Sequence, residues 1–131
     1  MALKLKLKPH ENLIVGGAVI RNGDKGTELF IENSVPILRQ KDIMAERDQD
    51  SPCKRVYFVV QLMYIDEKNL QEYHQTYWER VKEVLQAAPS TSRLIEQMSQ
   101  QILTGNFYQA LKVARKLIEY EEELLRHANS V

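Results

Sequence analysis

The amino-acid sequence predicts an α+β protein, with a small antiparallel β lobe at residues 1–45 followed by an α-helical lobe of about four helices at residues 51–131. Two observations support this fold class. The first third of the chain alternates apolar and polar residues in short runs separated by Gly, Asn, Asp and Pro, which is typical of strands joined by turns. In the remainder, apolar residues recur every three or four positions, which is the spacing of one face of a helix.

The first predicted strand carries its charge on one face. Its alternating residues are Leu3, Leu5 and Leu7 on one side and Lys4, Lys6 and Lys8 on the other. Because strand side chains alternate with period two, the three ammonium groups share an open surface. No acidic residue precedes Glu11, so this face indicates contact with a polyanion rather than a packed core, which rejects unpaired charge.

Glycines divide the rest of the β lobe into hairpins. Gly16 and Gly17 lie between two apolar runs and predict a two-residue hairpin loop, because glycine adopts positive φ angles without steric cost. The NGDKG segment at residues 22–26 predicts a second hairpin, whose returning strand covers residues 28–31.

The last strand of the lobe is expected at residues 35–38. Pro36 has no amide proton to give to a sheet, so this strand belongs at an edge. An edge strand is open to pairing with another chain. We therefore expect a homodimer through the β lobe.

The first two helices are marked by their starts and stops. Ser51 and Pro52 form a helix start, since the hydroxyl caps free amides and proline is preset for the first turn. The run that follows is apolar almost all round, which favours a buried helix, and its β-branched content leaves a strand as the alternative. The second helix carries an apolar stripe from Leu70 to Leu85 and ends before Pro89, with Trp78 packing beside the stripe.

The last two helices form an antiparallel pair with a short connection. The third begins near Ser90 or Thr91 and ends at Gly105, where glycine permits a left-handed C-cap. The fourth begins near Phe107. Its run of three glutamates at residues 121–123 is expected on a solvated helix face, with contact to a partner as the alternative.

Composition excludes several classes of protein. The chain has 131 residues, enough to bury a core without a disulfide or a structural metal. Its one cysteine, Cys53, has no partner for an internal disulfide, and there is no signal-peptide pattern and no apolar run of about 18 residues. We therefore expect a cytoplasmic protein that does not associate with membranes.

Catalytic chemistry is not indicated. The three histidines, His10, His74 and His127, are scattered, and no glycine-rich motif leads from a strand into a helix. Cys53 lies in a first helical turn, where its thiol pKa could fall, but ordinary packing or exposure explains it better than reactivity. The sequence thus predicts no enzyme, no catalytic residue, no metal and no cofactor.

Local positive charge is the remaining candidate for function. The formal net charge is zero, so the molecule exerts no long-range attraction on phosphate, and a nucleic-acid site must be local. The candidate RNA-binding residues are Lys4, Lys6, Lys8, Arg39 and Lys41. They merge into one surface if the first and last strands are neighbours. Lysine offers a mobile point charge, and arginine can bond two acceptors on a base edge or stack on an unpaired base. The alternative is an ordinary charged face of a solvated sheet.

Four segments resemble the FlbT family over nearly the whole chain. They are LKLKPHENLIVGGAVIRN, VPILRQKDIM, SPCKRVYFVVQLMYID and GNFYQALKVARKLIEYEEELL. The resemblance implies a bacterial regulator of flagellin synthesis that binds the 5′ untranslated leader of flagellin mRNA and controls its translation and decay. It also implies the flagellar regulator FlaF as a protein partner of the helices.

The β lobe alone is faintly similar to the carbon-storage-regulator family, through the HENLIVGG and VPILRQKDI stretches. That family forms β dimers that bind leader RNA near the ribosome site. The likeness places the RNA-binding arginine of its last strand on Arg39 and the surface of its first strand on residues 5–8.

The sequence thus predicts a non-catalytic post-transcriptional regulator whose β lobe binds RNA and whose helical lobe binds a partner. The alternative from another class is a protein-binding adaptor or secretion-chaperone-like factor for flagellar proteins, with the sheet as a dimer interface. Zero net charge favours this alternative.

Overall fold

A computed structural model of the chain describes residues 2–129 and contains five β-strands followed by four α-helices. The predicted α+β class is therefore confirmed. The chain divides into two compact units, one ending at Ile43 and the other starting at Met44. All five strands belong to the first unit and all four helices to the second.

The strands of the first unit form two small antiparallel sheets. Their bounds are β1 Leu3–Leu7, β2 Asn12–Val15, β3 Ala18–Arg21, β4 Thr27–Ile31 and β5 Ile37–Arg39. One sheet pairs β1 with β4, and the other has the order β3-β2-β5. β5 is thus an edge strand, as Pro36 predicts, and it begins one residue after that proline.

The first predicted hairpin is confirmed and the second is wrong. Val15 pairs with Ala18 across the glycine loop, and Gly16 takes the positive φ of 58°. The strand after NGDKG, however, pairs with β1, with Leu3 opposite Ile31. The side-chain Nδ2 of Asn22 donates to the carbonyl of Lys8 at 2.8 Å, so the segment is tied to the corner after β1. The chain is thereby directed onto β1 instead of returning along β3.

The core of the first unit lies on the leucine face of β1. Leu5, Leu7 and Leu13 are buried, and they pack with partly buried residues of the other strands, namely Val15, Leu29, Ile31 and Ile37. Leu3 shares this face by strand alternation but is 49% exposed. The lysine face of β1 is exposed, as the alternation predicts.

The helices of the second unit begin and end close to their predicted bounds. They are α1 Pro52–Ile65, α2 Leu70–Ala87, α3 Ser92–Leu103 and α4 Phe107–Asn129. The Ser51 hydroxyl accepts the Lys54 amide at 3.2 Å, and Gly105 adopts a φ of 78° after α3, so both predicted caps are confirmed. Among the described residues, no helix combines the length and the apolar character needed to cross a bilayer.

The packing of α1 explains its apolar sequence. It contacts both α2 and α4, and it buries residues on most of its faces, which confirms a helix over the strand alternative. Its one buried amide side chain, Gln61, bonds both backbone groups of Met44: its Oε1 accepts the Met44 amide at 2.7 Å and its Nε2 donates to the Met44 carbonyl at 3.0 Å. Trp78 packs less than predicted, because it is 44% exposed and contacts the Tyr77 ring with one edge.

The start of α1 holds a contact that the sequence did not indicate. The Glu121 carboxylate of α4 accepts the Ser51 hydroxyl at 2.5 Å and the Cys53 amide at 3.2 Å. Glu121 is therefore a long-range cap, while Glu122 and Glu123 are exposed as expected. Cys53 is buried, and its burial, together with the nearby Glu121 charge, raises the pKa of the thiol above its ordinary value. Of the two ordinary explanations for Cys53, packing and exposure, the structure shows packing.

Candidate nucleic-acid interface

A cavity of about 650 Å³ in the first unit collects most of the predicted cationic residues. It is lined by Lys6, Lys8, Pro9, His10, Glu11, Arg39, Gln40 and Lys41. These residues come from the end of β1, the corner that follows it, and the segment where β5 ends. Four of the five predicted RNA-binding residues thus lie around one cavity.

The first and last strands meet here without pairing as strands. They belong to different sheets, since β1 pairs with β4 and β5 with β2. Arg39 bridges them, because its Nη2 donates to the Lys6 carbonyl at 2.6 Å. The first and last strands are therefore neighbours, as the merging of the predicted charges requires, but they are joined by the Arg39 side chain and not by backbone hydrogen bonds.

The corner between β1 and β2 is held by local hydrogen bonds. The Lys8 amide donates to Glu11 Oε1 at 2.8 Å, and the Glu11 amide donates to the Lys8 carbonyl at 3.1 Å. His10 has a φ of 63°, a left-handed conformation that non-glycine residues adopt uncommonly. Its amide donates to the Gly23 carbonyl at 2.8 Å, which stabilises this conformation.

Glu11 is the carboxylate of the cavity, and it is engaged at both oxygens. Its Oε2 accepts Arg39 Nη2 at 3.1 Å, and its side chain is 14% exposed. The hydrogen bond from the Lys8 amide, followed by the one from Arg39, lowers the pKa of Glu11 below its ordinary value. The carboxylate therefore stays ionised at lower pH than an unperturbed glutamate.

The balance of charge around the cavity remains positive. Two lysines, Lys6 and Lys8, form no ion pair with a carboxylate among residues 2–129. The cavity lining thus contains four basic residues, these two lysines with Arg39 and Lys41, and one acidic residue, Glu11. Four cations facing one carboxylate can bind an anion such as phosphate, even though the whole chain is neutral.

Lys4, the fifth predicted residue, lies outside the cavity lining. Its ammonium is 3.4 Å from Glu28 Oε2 on the paired strand β4, where both side chains are about half exposed. An exposed pair of this kind contributes little to stability and leaves the lysine within reach of another anion.

Four residues of the cavity, Pro9, His10, Glu11 and Gln40, were not singled out for this site by the sequence. The sequence marked Glu11 only as the first acidic residue and His10 only as one of three scattered histidines. Gln40 accepts the Asn12 amide at 2.6 Å through its side chain and so extends the pairing of β2 beyond β5. A polar residue directly after an edge strand gives only a weak signal for such a contact. Among the described residues, no group of three or more His, Cys, Asp and Glu is arranged to hold a metal ion.

Comparison with known proteins gives one consistent family. The family model described as "Flagellar protein FlbT" matches residues 3–125. The chain is 49% identical over 125 residues to the probable flagellum biosynthesis repressor protein FlbT 1 of Bradyrhizobium diazoefficiens, covering 95% of this chain and 85% of that protein. It is 36% identical over 132 residues to the flagellum biosynthesis repressor protein FlbT of Caulobacter vibrioides, covering 99% and 94%. No solved structure matches the chain significantly.

Proposed function

The chain belongs to the FlbT family of flagellar proteins, and from this membership we propose that it is a non-catalytic regulator of flagellar synthesis. It acts after transcription, in the cytoplasm. It binds the 5′ untranslated leader of flagellin mRNA and controls the translation and decay of that message. The two relatives described above are both named flagellum biosynthesis repressors, which supports a negative effect on flagellar synthesis.

The observation that carries RNA binding is the cationic cavity. Lys6, Lys8, Arg39 and Lys41 surround a space of about 650 Å³ with one carboxylate among them. Most contacts of proteins with nucleic acids are made to phosphate and sugar, and cations supply the affinity. Lys4 continues the same strand and adds a further charge at the margin.

A single strand fits this cavity better than a duplex. Concave sites of about 300–1,000 Å³ enclose flexible ligands of small-molecule size, such as one or two nucleotides. A double helix presents a convex, stiff surface, whereas unpaired bases can be splayed out and stacked on flat side chains. The leader is therefore held at an unpaired segment, where bound protein obstructs ribosomes or exposes the message to nucleases.

The direct test is a gel shift with the flagellin leader at several salt concentrations. For an unpaired strand, the logarithm of the affinity falls with the logarithm of salt by about 0.7 per neutralised phosphate. Lys6→Ala and Lys8→Ala should each lower this slope by about 0.7, which corresponds to about fivefold weaker binding at 0.1 M salt. Lys25→Ala is the matched control, because Lys25 is exposed in the same unit but does not line the cavity.

Two results would overturn the proposal. One is the absence of any shift of the leader by the purified protein. The other is an equal loss of affinity in Lys6→Ala and in the Lys25→Ala control. A leader annealed to its complement serves as competitor, and it should displace the protein less well than the unpaired leader.

The adaptor alternative has one structural observation in its favour. The helical unit exposes several large apolar side chains, namely Trp78, Leu103, Tyr108 and Leu125. Exposed apolar residues of this size are frequent in surfaces that bind proteins. If the protein shifts no leader but captures FlaF or another purified flagellar protein, and Leu103→Glu abolishes the capture, the adaptor function is correct.

A further inference from the structure

A continuous chain of hydrogen bonds links the two unpaired lysines of the cavity to β5. The Lys6 carbonyl accepts Arg39 Nη2 at 2.6 Å, and the same nitrogen donates to Glu11 Oε2 at 3.1 Å. The other oxygen of Glu11 accepts the Lys8 amide at 2.8 Å. We call the Glu11–Arg39 pair the clamp, because it holds the backbone at both Lys6 and Lys8.

The donors of Arg39 are partly consumed by the clamp. A guanidinium has five N–H groups, and both N–H groups of Nη2 are directed at protein oxygens. A bidentate contact uses two parallel N–H groups, either from Nη1 and Nη2 or from Nε and Nη2. Each of these forks includes Nη2. Arg39 therefore has no complete fork left for a base edge while the clamp is closed.

The side chains of Lys6 and Lys8, unlike that of Arg39, remain available to a ligand. Their backbones are fixed by the clamp, but their ammonium groups form no ion pair with a carboxylate of the described residues. An ammonium on a flexible stem binds phosphate as a point charge and does not read the planar pattern of a base. The atoms available to a ligand are thus suited to the phosphates of a strand.

We propose that Arg39 and Glu11 are positioning residues, which set the spacing of Lys6 and Lys8, and that this cavity binds the sugar–phosphate backbone of an unpaired strand without reading base edges through Arg39. This inference rests on the proposed function. It also reverses the role that the likeness to the carbon-storage-regulator family implies for Arg39, which is direct contact with RNA.

The experiment measures affinity and melting temperature together in the full-length protein. The probes are the flagellin leader and poly(U) of the same length, each titrated at several salt concentrations. The variants are Arg39→Ala, Arg39→Lys, Lys6→Ala and Lys8→Ala, with Lys25→Ala as control.

We expect Arg39→Ala to lower the melting temperature by about 2–8 °C and to weaken both RNAs by the same factor, because it releases the β1 edge. The leader-to-poly(U) affinity ratio should stay within about twofold of the wild-type ratio, and the salt slope should fall by less than half of the value of about 0.7 for one phosphate. Lys6→Ala and Lys8→Ala should show the reverse, with an unchanged melting temperature and a slope lowered by about 0.7 each.

The outcomes separate this inference from the proposed function. If the wild-type protein binds neither RNA, both fail. If it binds the leader but Arg39→Ala melts like the wild type and loses the preference for leader over poly(U), Arg39 reads bases and only this inference is overturned. Arg39→Lys covers the case in which Arg39→Ala does not fold. Lysine retains a donor for the Lys6 carbonyl but has no guanidinium fork, so a preserved affinity ratio supports the positioning role and a lost ratio contradicts it.

Discussion

At the scale of single residues, the molecule depends on polar side chains that replace backbone hydrogen bonds. Arg39 donates to the Lys6 carbonyl on β1, and Gln40 accepts the Asn12 amide on β2. Gln61 bonds both the amide and the carbonyl of Met44. The bonds of Gln61 are partly buried, where backbone groups without partners are costly, whereas those of Arg39 and Gln40 are exposed and hold their segments at a smaller gain in stability. Their effects can be measured one residue at a time.

The clamp predicts acid sensitivity. Folding lowers the pKa of Glu11 from its ordinary value of 4.5, chiefly through the Lys8 amide and Arg39. A lowered pKa stabilises the fold above the unfolded pKa, and this contribution is lost as pH falls from there through the folded value. The melting temperature of the wild type should therefore drop more between pH 5 and pH 3 than that of Glu11→Gln. Equal drops in thermal melts of the two proteins would show that Glu11 contributes nothing to stability.

Gln61 provides a second prediction at this scale. Its side chain is 3% exposed, and Gln61→Leu keeps its size but leaves the Met44 amide and carbonyl without partners. The free energy of unfolding should fall by about 1–3 kcal/mol in urea titrations. Gln97→Leu, at an exposed position of α3, should change it by less than about 0.5 kcal/mol. If the two variants unfold alike, the Met44 contact is not a stabilising one.

At the scale of elements, the important features are how the N-terminus of a helix is capped and whether the edge of a sheet is paired. The N-terminus of α1 is stabilised by Ser51 from its own segment and by Glu121 from α4. A carboxylate at a helix N-terminus also interacts favourably with the helix dipole. Among the strands, β3 has an open edge, and all four of its residues are exposed.

The shared cap predicts non-additive mutations. Ser51→Ala removes a hydroxyl that accepts from Lys54 and donates to Glu121, and it should cost about 1 kcal/mol of unfolding free energy. Glu121→Gln weakens the same cap. Because the two side chains bond each other, the double variant should lose at least about 0.5 kcal/mol less than the sum of the single losses. Additive losses in a double-mutant cycle would mean that the two residues act independently.

The sequence-based expectation of a homodimer rests on the edge strand at Pro36, which is β5; we propose that a dimer forms through β3 instead. Val19 on this strand is 75% exposed, and no strand among the described residues pairs with its outer edge. An exposed apolar edge favours addition of a strand from a second copy. Val19→Lys should therefore shift light scattering toward the monomer, while Leu3→Lys, on the other sheet, should leave the dimer intact. A wild type that stays monomeric up to about 100 µM, where specific interfaces are normally occupied, would contradict the dimer.

At the scale of the whole molecule, the proposed RNA binding depends on how charge is distributed over the surface rather than on the net charge. Eighteen basic and eighteen acidic residues cancel, yet four cations meet one carboxylate at the cavity. Association with RNA should therefore show little long-range steering and a salt dependence set by a few local contacts. The neutral charge that favours an adaptor at the level of composition does not exclude a nucleic-acid site once the side chains are placed.

The sequence by itself determined the features that depend on interactions between residues close together along the chain. The alternation of β1, the Gly16 turn, the Ser51 start of α1 and the Gly105 stop of α3 each depend on residues within a few positions of one another, and all are confirmed. The resemblance of four segments was likewise sufficient for the FlbT family.

Tertiary structure alone decided the contacts between distant residues. The pairing of β4 with β1, the Glu11–Arg39 clamp across 28 positions, and the Glu121 cap across 70 positions have no local pattern that marks the partner. The physical reason is that a side chain's charge and hydrogen-bonding capacity are visible in the sequence, whereas the group that satisfies it is chosen by the path of the folded chain. The lysine face could thus be located on β1 in advance, but the clamp that fixes its spacing could not.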